Sequence, residues 1–286
     1  MNKLIYIFLF FLFLTSCVEE IQPKLEEEYE PELVVNSVVV PGEDYVQFFI
    51  STSVAIDSDD VPFHPVNGEA EVRLRDQSGE VVVEYVPSDE VWRTSRTYQP
   101  QPGFNFELEV ELTSRDIATV VSTTFVPFPM PIENFNTNSS EQVVVAGKTK
   151  YNYNIDFNIP ESEEDVHFRF IAKNPTTGEE IPVHSAIQGA DAMSRLNHMQ
   201  GVLFNSNTLI DGNVELILQS ETDLSNAEIH LYTVNSEYYK YNRSLSDAYG
   251  SHNSPFDEPV SRYSNIDNGL GLFGSFTRHI KLYSLK

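Results

Sequence analysis

A single cysteine, Cys17, occurs in 286 residues. One thiol cannot close an intramolecular disulfide or build a cysteine metal cluster, so both are excluded. Positive charge is scarce: 18 Lys and Arg stand against 43 Asp and Glu, a formal net charge of −25. With no basic stripe to neutralise phosphates, no nucleic acid partner is expected. Docking on an anionic lipid surface through charge is excluded on the same ground. Long apolar runs are also missing; the longest, Leu4 to Leu14, has eleven residues. As helix it covers roughly 16 Å of a hydrocarbon core about 30 Å thick, too little for a membrane span.

What is present leans towards β structure. Hydrophobic residues make up 41% and charged residues 21%, close enough to the globular average to exclude wholesale disorder. Many Val and Ile accompany 14 Tyr and 19 Phe, residue types that favour strands. The length suits one large domain or two ordinary ones.

The apolar run behind Lys3 fits the h-region of a secretory signal peptide with a short basic start. It ends in Leu14-Thr15-Ser16-Cys17, which resembles a bacterial lipobox, where the peptide is cut before the cysteine and the thiol is diacylated. An ordinary signal peptide with an incidental cysteine is the bland alternative. The only cysteine of the chain standing at the position lipidation requires argues against it. Residues 1–16 therefore read as signal peptide and residues 17–31, with Pro23 and Pro31, as a lipidated acidic leader. Each buried CH₂ contributes about 0.8 kcal/mol and one chain anchors only marginally, so two or three chains on Cys17 would hold the protein to membrane lipid. Glu19 and Glu20 resemble the surface-export signal of Bacteroidota lipoproteins, and Glu26-Glu27-Glu28 continue the acidity as in a solvated tether. The expected location is the outer membrane, lipid-anchored and facing the cell exterior.

Strand signals then fill residues 32–126. Residues 33–40 are β-branched and apolar, and residues 45–54 follow a Pro41-Gly42 turn. Ala70, Val72 and Leu74 alternate with Glu71, Arg73 and Arg75; Asp76-Gln77-Ser78-Gly79 turns the chain into residues 81–86, and residues 91–98 come next. In residues 104–112 every even position is apolar and every odd one polar, which buries one face and wets the other. Residues 117–125 close the set. Short strands at this spacing predict an immunoglobulin-like β-sandwich over residues 32–126. Pro127, Pro129 and Pro131 cannot donate to a central ladder, so residues 127–131 read as a linker. A kinked edge strand inside one larger sandwich is the alternative.

Residues 132–286 read as a β-rich C-terminal domain with a short helix, which makes the fold class mainly β. Tyr151, Tyr153, Ile155, Phe157 and Ile159 alternate with polar residues, and residues 166–172, 214–219 and 229–234 are further strands. Ser236 suits a helix N-cap, with Tyr238, Tyr241, Leu245 and Ala248 on one stripe and Gly250 at the end.

Motifs with chemistry are few. Residues 269–274 satisfy G-x-G-x-x-G, but a dinucleotide site needs an acid about twenty residues on, and only twelve residues remain, none acidic. The glycines instead suit close backbone packing or positive φ after Asn268. No G-x-S-x-G elbow is present. The histidines (64, 167, 184, 198, 230, 252 and 279) form no i, i+4 pair, so no metal site and no cofactor is expected. The acidic stretches at residues 57–60 and 161–165 are oxygen-rich but lack the ligand spacing of an EF-hand loop. No catalytic residue is assigned, and the chain is not expected to be an enzyme. Trp92, Tyr238, Tyr239 and Tyr241 suit either sugar stacking or packing, with packing the commoner fate.

Residues 253–260 (Asn-Ser-Pro-Phe-Asp-Glu-Pro-Val) and 264–274, beginning Ser264-Asn265-Ile266-Asp267-Asn268-Gly269, carry a resemblance. They are similar to the closing motif, N-P-F-x-E-P followed by N-I-x-N-G-x-G-x-F, of Bacteroidota lipoproteins called domain of unknown function 4249. The lipobox, the early Leu33-Val34-Val35-Asn36 strand and the tyrosine-rich helix fit the same pattern. Here Ser254 separates Asn253 from Pro255. The resemblance implies a place beside a TonB-dependent outer-membrane receptor, as binding or accessory subunit in nutrient uptake. A structural or assembly part of an outer-membrane secretion or adhesion machine is the competing class. It implies no catalytic residues.

Overall fold

The computed structural model describes residues 29–54, 64–66, 68–113, 117–160, 165–185, 191–192, 201–251 and 261–285. Before the proline run lie β1 (Leu33–Val39), β2 (Gln47–Thr52), β3 (His64–Pro65), β4 (Ala70–Asp76), β5 (Gly79–Val81), β6 (Val83–Val86), β7 (Val91–Thr94), β8 (Asn105–Leu112) and β9 (Val120–Phe125). After it come β10 (Glu133–Val145), β11 (Lys148–Asn158), β12 (His167–Lys173), β13 (Glu180–Ile181), β14 (Val183–Ser185), β15 (Asp191–Ala192) and β16 (Val202–Asn205). The series ends with β17 (Asn213–Ser220), β18 (Asn226–Val234), the helix α1 (Ser236–Ser251) and β19 (Gly269–Ser284). The protein is mainly β.

Among the described residues the strands form three sheets. A large mixed sheet runs β15-β16-β12-β18-β19-β1-β2-β7-β6, with β13 beside β12 and β3 beside β2. Two four-stranded antiparallel sheets, β5-β4-β8-β9 and β10-β11-β17-β14, complete the set. Strand alternation decides what each covers. Phe106, Leu108, Val110 and Leu112, the even positions of β8, meet Leu33, Val35, Phe48 and Ile50 in a first core. Tyr153, Ile155 and Phe157 of β11 meet Phe168, Phe170, Ile229 and Leu231 in a second. Each small sheet thus makes a sandwich with its own stretch of the large one.

The strand expected over residues 81–86 splits at Val82, which is exposed. There the chain leaves one sheet for another: β5 pairs with β4, and β6 pairs with β7. A single apolar run therefore supplies edge strands to both layers.

The helix packs on the other face of the large sheet, where Tyr238 and Tyr239 join Leu203, Val234 and Leu272. Its N-cap is Asn235, one residue before the expected Ser236: the Asn235 Oδ1 accepts from the Tyr238 N–H at 3.0 Å. The same side chain accepts from Ser275 N–H at 3.2 Å and donates to Thr124 Oγ1 at 2.7 Å. A buried amide that ties a helix start to two strands outcompetes a serine that serves only the helix. The helix continues past Gly250 to Ser251.

β19 changes partner half-way. Residues 269–275 pair in parallel with β1, and residues 276–284 pair antiparallel with β18. Phe273 and Ile266 fill the first core, whereas Leu285 lies in the second, with Tyr283 packed against it. One strand closes both sandwiches. The chain crosses between the cores at residues 126–132, from buried Val126 to buried Ile132. Small buried hydroxyls line this seam: Thr124 bonds Ser275 Oγ at 3.3 Å, Ser275 donates to the Phe125 carbonyl at 2.6 Å, and Thr233 Oγ1 accepts from Met130 N–H at 3.0 Å. Pro31–Lys286 form one compact unit. Among the described residues no helix is long and apolar enough to cross a membrane.

Candidate functional site

The segment leading into β19 is the most tightly specified part of the chain. Asn265 clasps the backbone of one residue: Nδ2 donates to the Phe273 carbonyl and Oδ1 accepts from the Phe273 N–H, both at 2.9 Å, and Nδ2 also reaches the Thr123 carbonyl at 3.5 Å. That pair replaces the strand neighbour that β19 lacks on this side. Asp267 exchanges two backbone hydrogen bonds with Val121 of β9, at 2.9 and 3.3 Å. The Asn265 carbonyl accepts from Ser122 Oγ at 2.7 Å. Asn268 sits at φ 61°, the left-handed region that an Asn-Gly pair tolerates. A Cβ on Gly271, at φ +117°, would lie 2.0 Å from the Val35 carbonyl oxygen, and one on Gly269 2.6 Å from that of Leu33. The parallel pairing of β1 and β19 therefore requires glycine at both positions. The G-x-G-x-x-G run opens strand β19, which continues to Ser284, whereas a dinucleotide fingerprint opens a helix.

This folded segment walls a cleft of about 490 Å³. Its other walls are the outer face of β8 and β9 and the first turn of α1, so Glu107, Thr123, Glu237, Tyr263, Asn265 and Asp267 meet there. Glu237 accepts from Asn235 Nδ2 at 2.8 Å and from Ser236 Oγ at 2.6 Å, at a helix N-terminus where negative charge is favoured. Burial raises the Tyr263 phenol above its ordinary range, and Glu237 adds to that. The Lys240 ammonium lies 5.7 Å from the Tyr263 ring centroid.

A second polar row lies on β18. The spacing i, i+2, i+4 puts Glu228, His230 and Tyr232 on one strand face. Glu228 Oε1 lies 2.6 Å from His230 Nε2, and Tyr232 Oη lies 3.2 Å from His230 Nδ1. His230 is buried, and Arg169 on neighbouring β12 donates to Tyr238 Oη at 2.8 Å. The strand expected over residues 229–234 holds His230, and the Glu-x-His-x-Tyr alternation is the sequence signal that puts the three side chains on one face. His167, the other strand histidine, packs edge-on against Tyr239 at 4.3 Å between ring centroids. Trp92 is buried against Tyr85, so its role is packing.

Among the described residues no group of three or more His, Cys, Asp or Glu is arranged to hold a metal ion. Cys17, Glu19 and Glu20 lie outside the described residues, as do residues 57–60, 161–164 and 253–260. The closing motif is thus seen in its second part only, and there Asn265, Ile266, Asn268, Gly269, Gly271 and Phe273 each have a defined structural task.

A family model described as "Domain of unknown function (DUF4249)" matches residues 18–281. The chain belongs to the DUF4249 family. Comparison with curated proteins finds no match. In this DUF4249 chain the motif builds the shared strand and one wall of the cleft, so its fixed residues serve the architecture on which any binding surface rests.

Proposed function

We propose that the protein is a surface-exposed outer-membrane lipoprotein acting as a binding or accessory subunit beside a TonB-dependent receptor in nutrient uptake. The observation that carries this reading is the sole cysteine, Cys17, directly after Leu14-Thr15-Ser16 at the end of an eleven-residue apolar run. Two or three acyl chains there, at about 0.8 kcal/mol per buried CH₂, make a lasting anchor. Glu19 and Glu20 act as the export signal, and a net charge of −25 keeps the chain soluble at a crowded surface. Anchoring in the partner's membrane raises the effective concentration around it, so modest affinity suffices. In this reading the first half is an immunoglobulin-like sandwich. Its union with the second half through β19 supplies a rigid platform, and the cleft beside Tyr263 is one of its holding surfaces. The protein holds a partner and does not turn over a substrate.

Two measurements test this. Cys17→Ala is expected to lose fatty-acid labelling and to leave the membrane. Mutant protein that stays membrane-bound after high-salt washing, with labelling unchanged, overturns the anchor. Protease added to intact cells is expected to degrade the wild type and to spare the Glu19→Ala/Glu20→Ala protein. Equal protection of both overturns surface exposure.

A further inference from the structure

The partner switch in β19 leaves an edge open. On one side the strand faces β1 only as far as Ser275; among the described residues no strand takes that side of residues 276–284. Arg278, the third residue of this edge, is tied to Glu43 of the β1–β2 turn at 2.6 Å. Beyond it Ile280 is 46% and Leu282 57% exposed, and Lys281 between them is exposed on the opposite face. The Lys281 ammonium lies 5.3 Å from the Tyr283 ring centroid. Open edges are ordinarily short, strongly charged or covered. This one spans nine residues and shows two aliphatic side chains on one face.

We infer that residues 276–284 of β19 are a strand-addition site for an extended segment of another protein that alternates aliphatic and acidic side chains. Backbone pairing supplies the affinity in such a mode, and cross-strand side chains supply the selection. Ile280 and Leu282 call for aliphatic partners on their face. Lys281 calls for a carboxylate on the other. Charge separation within the chain agrees: from Asn268 to the C-terminus there are Arg278, Lys281 and Lys286 and no Asp or Glu, in a chain of net charge −25. A second copy is a poor occupant. The two-fold register that matches Ile280 with Leu282 sets Lys281 against its own copy, and like charges directly opposite destabilise a pair. This site rests on the reading of the protein as a binding subunit, and gives that subunit a specific docking edge.

The test uses the full lipidated chain in detergent and a synthetic nine-residue peptide of alternating Val and Glu. A peptide with Lys in place of Glu is the control. Hydrogen exchange read by mass spectrometry is expected to slow in residues 276–284 with the Val-Glu peptide and to stay unchanged with the control. Lys281→Glu is expected to weaken the Val-Glu peptide about three- to fivefold and to admit the control. Leu282→Lys, a second exposed change that leaves both cores intact, is expected to weaken it as well. Absence of protection, protection elsewhere, equal binding of both peptides, or a self-dimer that protects this edge without peptide overturns the inference. A membrane partner that crosslinks through other surfaces while this edge stays unprotected overturns the inference and leaves the lipoprotein reading standing.

Discussion

The side chain of Asn265 holds both backbone groups of Phe273, at 2.9 Å each, and so fixes the strand that both sandwiches share. Phe273 is fully buried in the first core. Asn265→Ala leaves a donor and an acceptor without their partner at roughly 1–3 kcal/mol each, so urea unfolding is expected to show a loss of about 2–6 kcal/mol. Asn265→Asp keeps the acceptor for the Phe273 N–H and is expected to lose less. A loss under about 0.5 kcal/mol for Asn265→Ala would show that this pairing is not what holds β19.

Two glycines with positive φ separate strain from collision. A Cβ on Gly271 would meet the Val35 carbonyl oxygen at 2.0 Å, whereas nothing lies within 4 Å of one on Gly147. Gly271→Ala combines forbidden backbone with overpacking and is expected to cost about 3–5 kcal/mol. Gly147→Ala carries only the left-handed strain, about 1–2 kcal/mol. Thermal unfolding of the two variants side by side checks the ordering; equal losses would contradict the β1–β19 contact.

How much of this was legible in the sequence depends on distance along the chain. The alternation of residues 104–112 identified β8 and its buried face, because a strand wet on one side writes its period into the sequence. Pro127, Pro129 and Pro131 stand between Val126 of the first core and Ile132 of the second. That Phe273 completes the first core was not legible, since its neighbours Leu33 and Val35 stand at the other end of the chain and β pairing leaves no local trace. The cap was misplaced by one residue because Ser236 and Asn235 are equally good caps alone; the bonds from Asn235 to Ser275 and Thr124 decide between them. The cleft was invisible for the same reason, as Glu107, Glu237 and Asp267 come from three separate segments.

Tyr153 tests the second core. Its hydroxyl donates to Asp223 Oδ1 at 2.8 Å and accepts from the Leu224 N–H at 2.5 Å, and burial is the main cause that pushes its pKa up to about 12. Tyr153→Phe strands the Leu224 N–H and is expected to destabilise the protein by about 1–3 kcal/mol. The folded pKa lies above the unfolded one, so the wild type loses stability as pH rises through 10 towards 12. The variant is expected to lose that part of the alkaline slope, as read by Tm against pH.

Two histidines with depressed pKa predict acid sensitivity near neutrality. Burial, the largest cause, holds His167 below its ordinary range of 6.5, and burial followed by Lys281 does the same for His279. A depressed folded pKa means that the unfolded chain binds more protons as pH falls through the ordinary histidine range. Stability is therefore present above about pH 6.5 and falls below it. Tm is expected to drop between about pH 7.5 and 5.5, and the His167→Gln/His279→Gln protein is expected to show a shallower drop. An unchanged slope would place the sensitivity elsewhere.

The central claim is that the anchored protein works by holding an outer-membrane partner, and crosslinking in living cells tests it most directly. Wild-type protein treated with a short membrane-impermeant crosslinker is expected to be recovered bound to an outer-membrane barrel receptor, with weaker recovery for the Cys17→Ala form. Recovery only as an uncrosslinked monomer, with wild type and Cys17→Ala alike, would contradict the account.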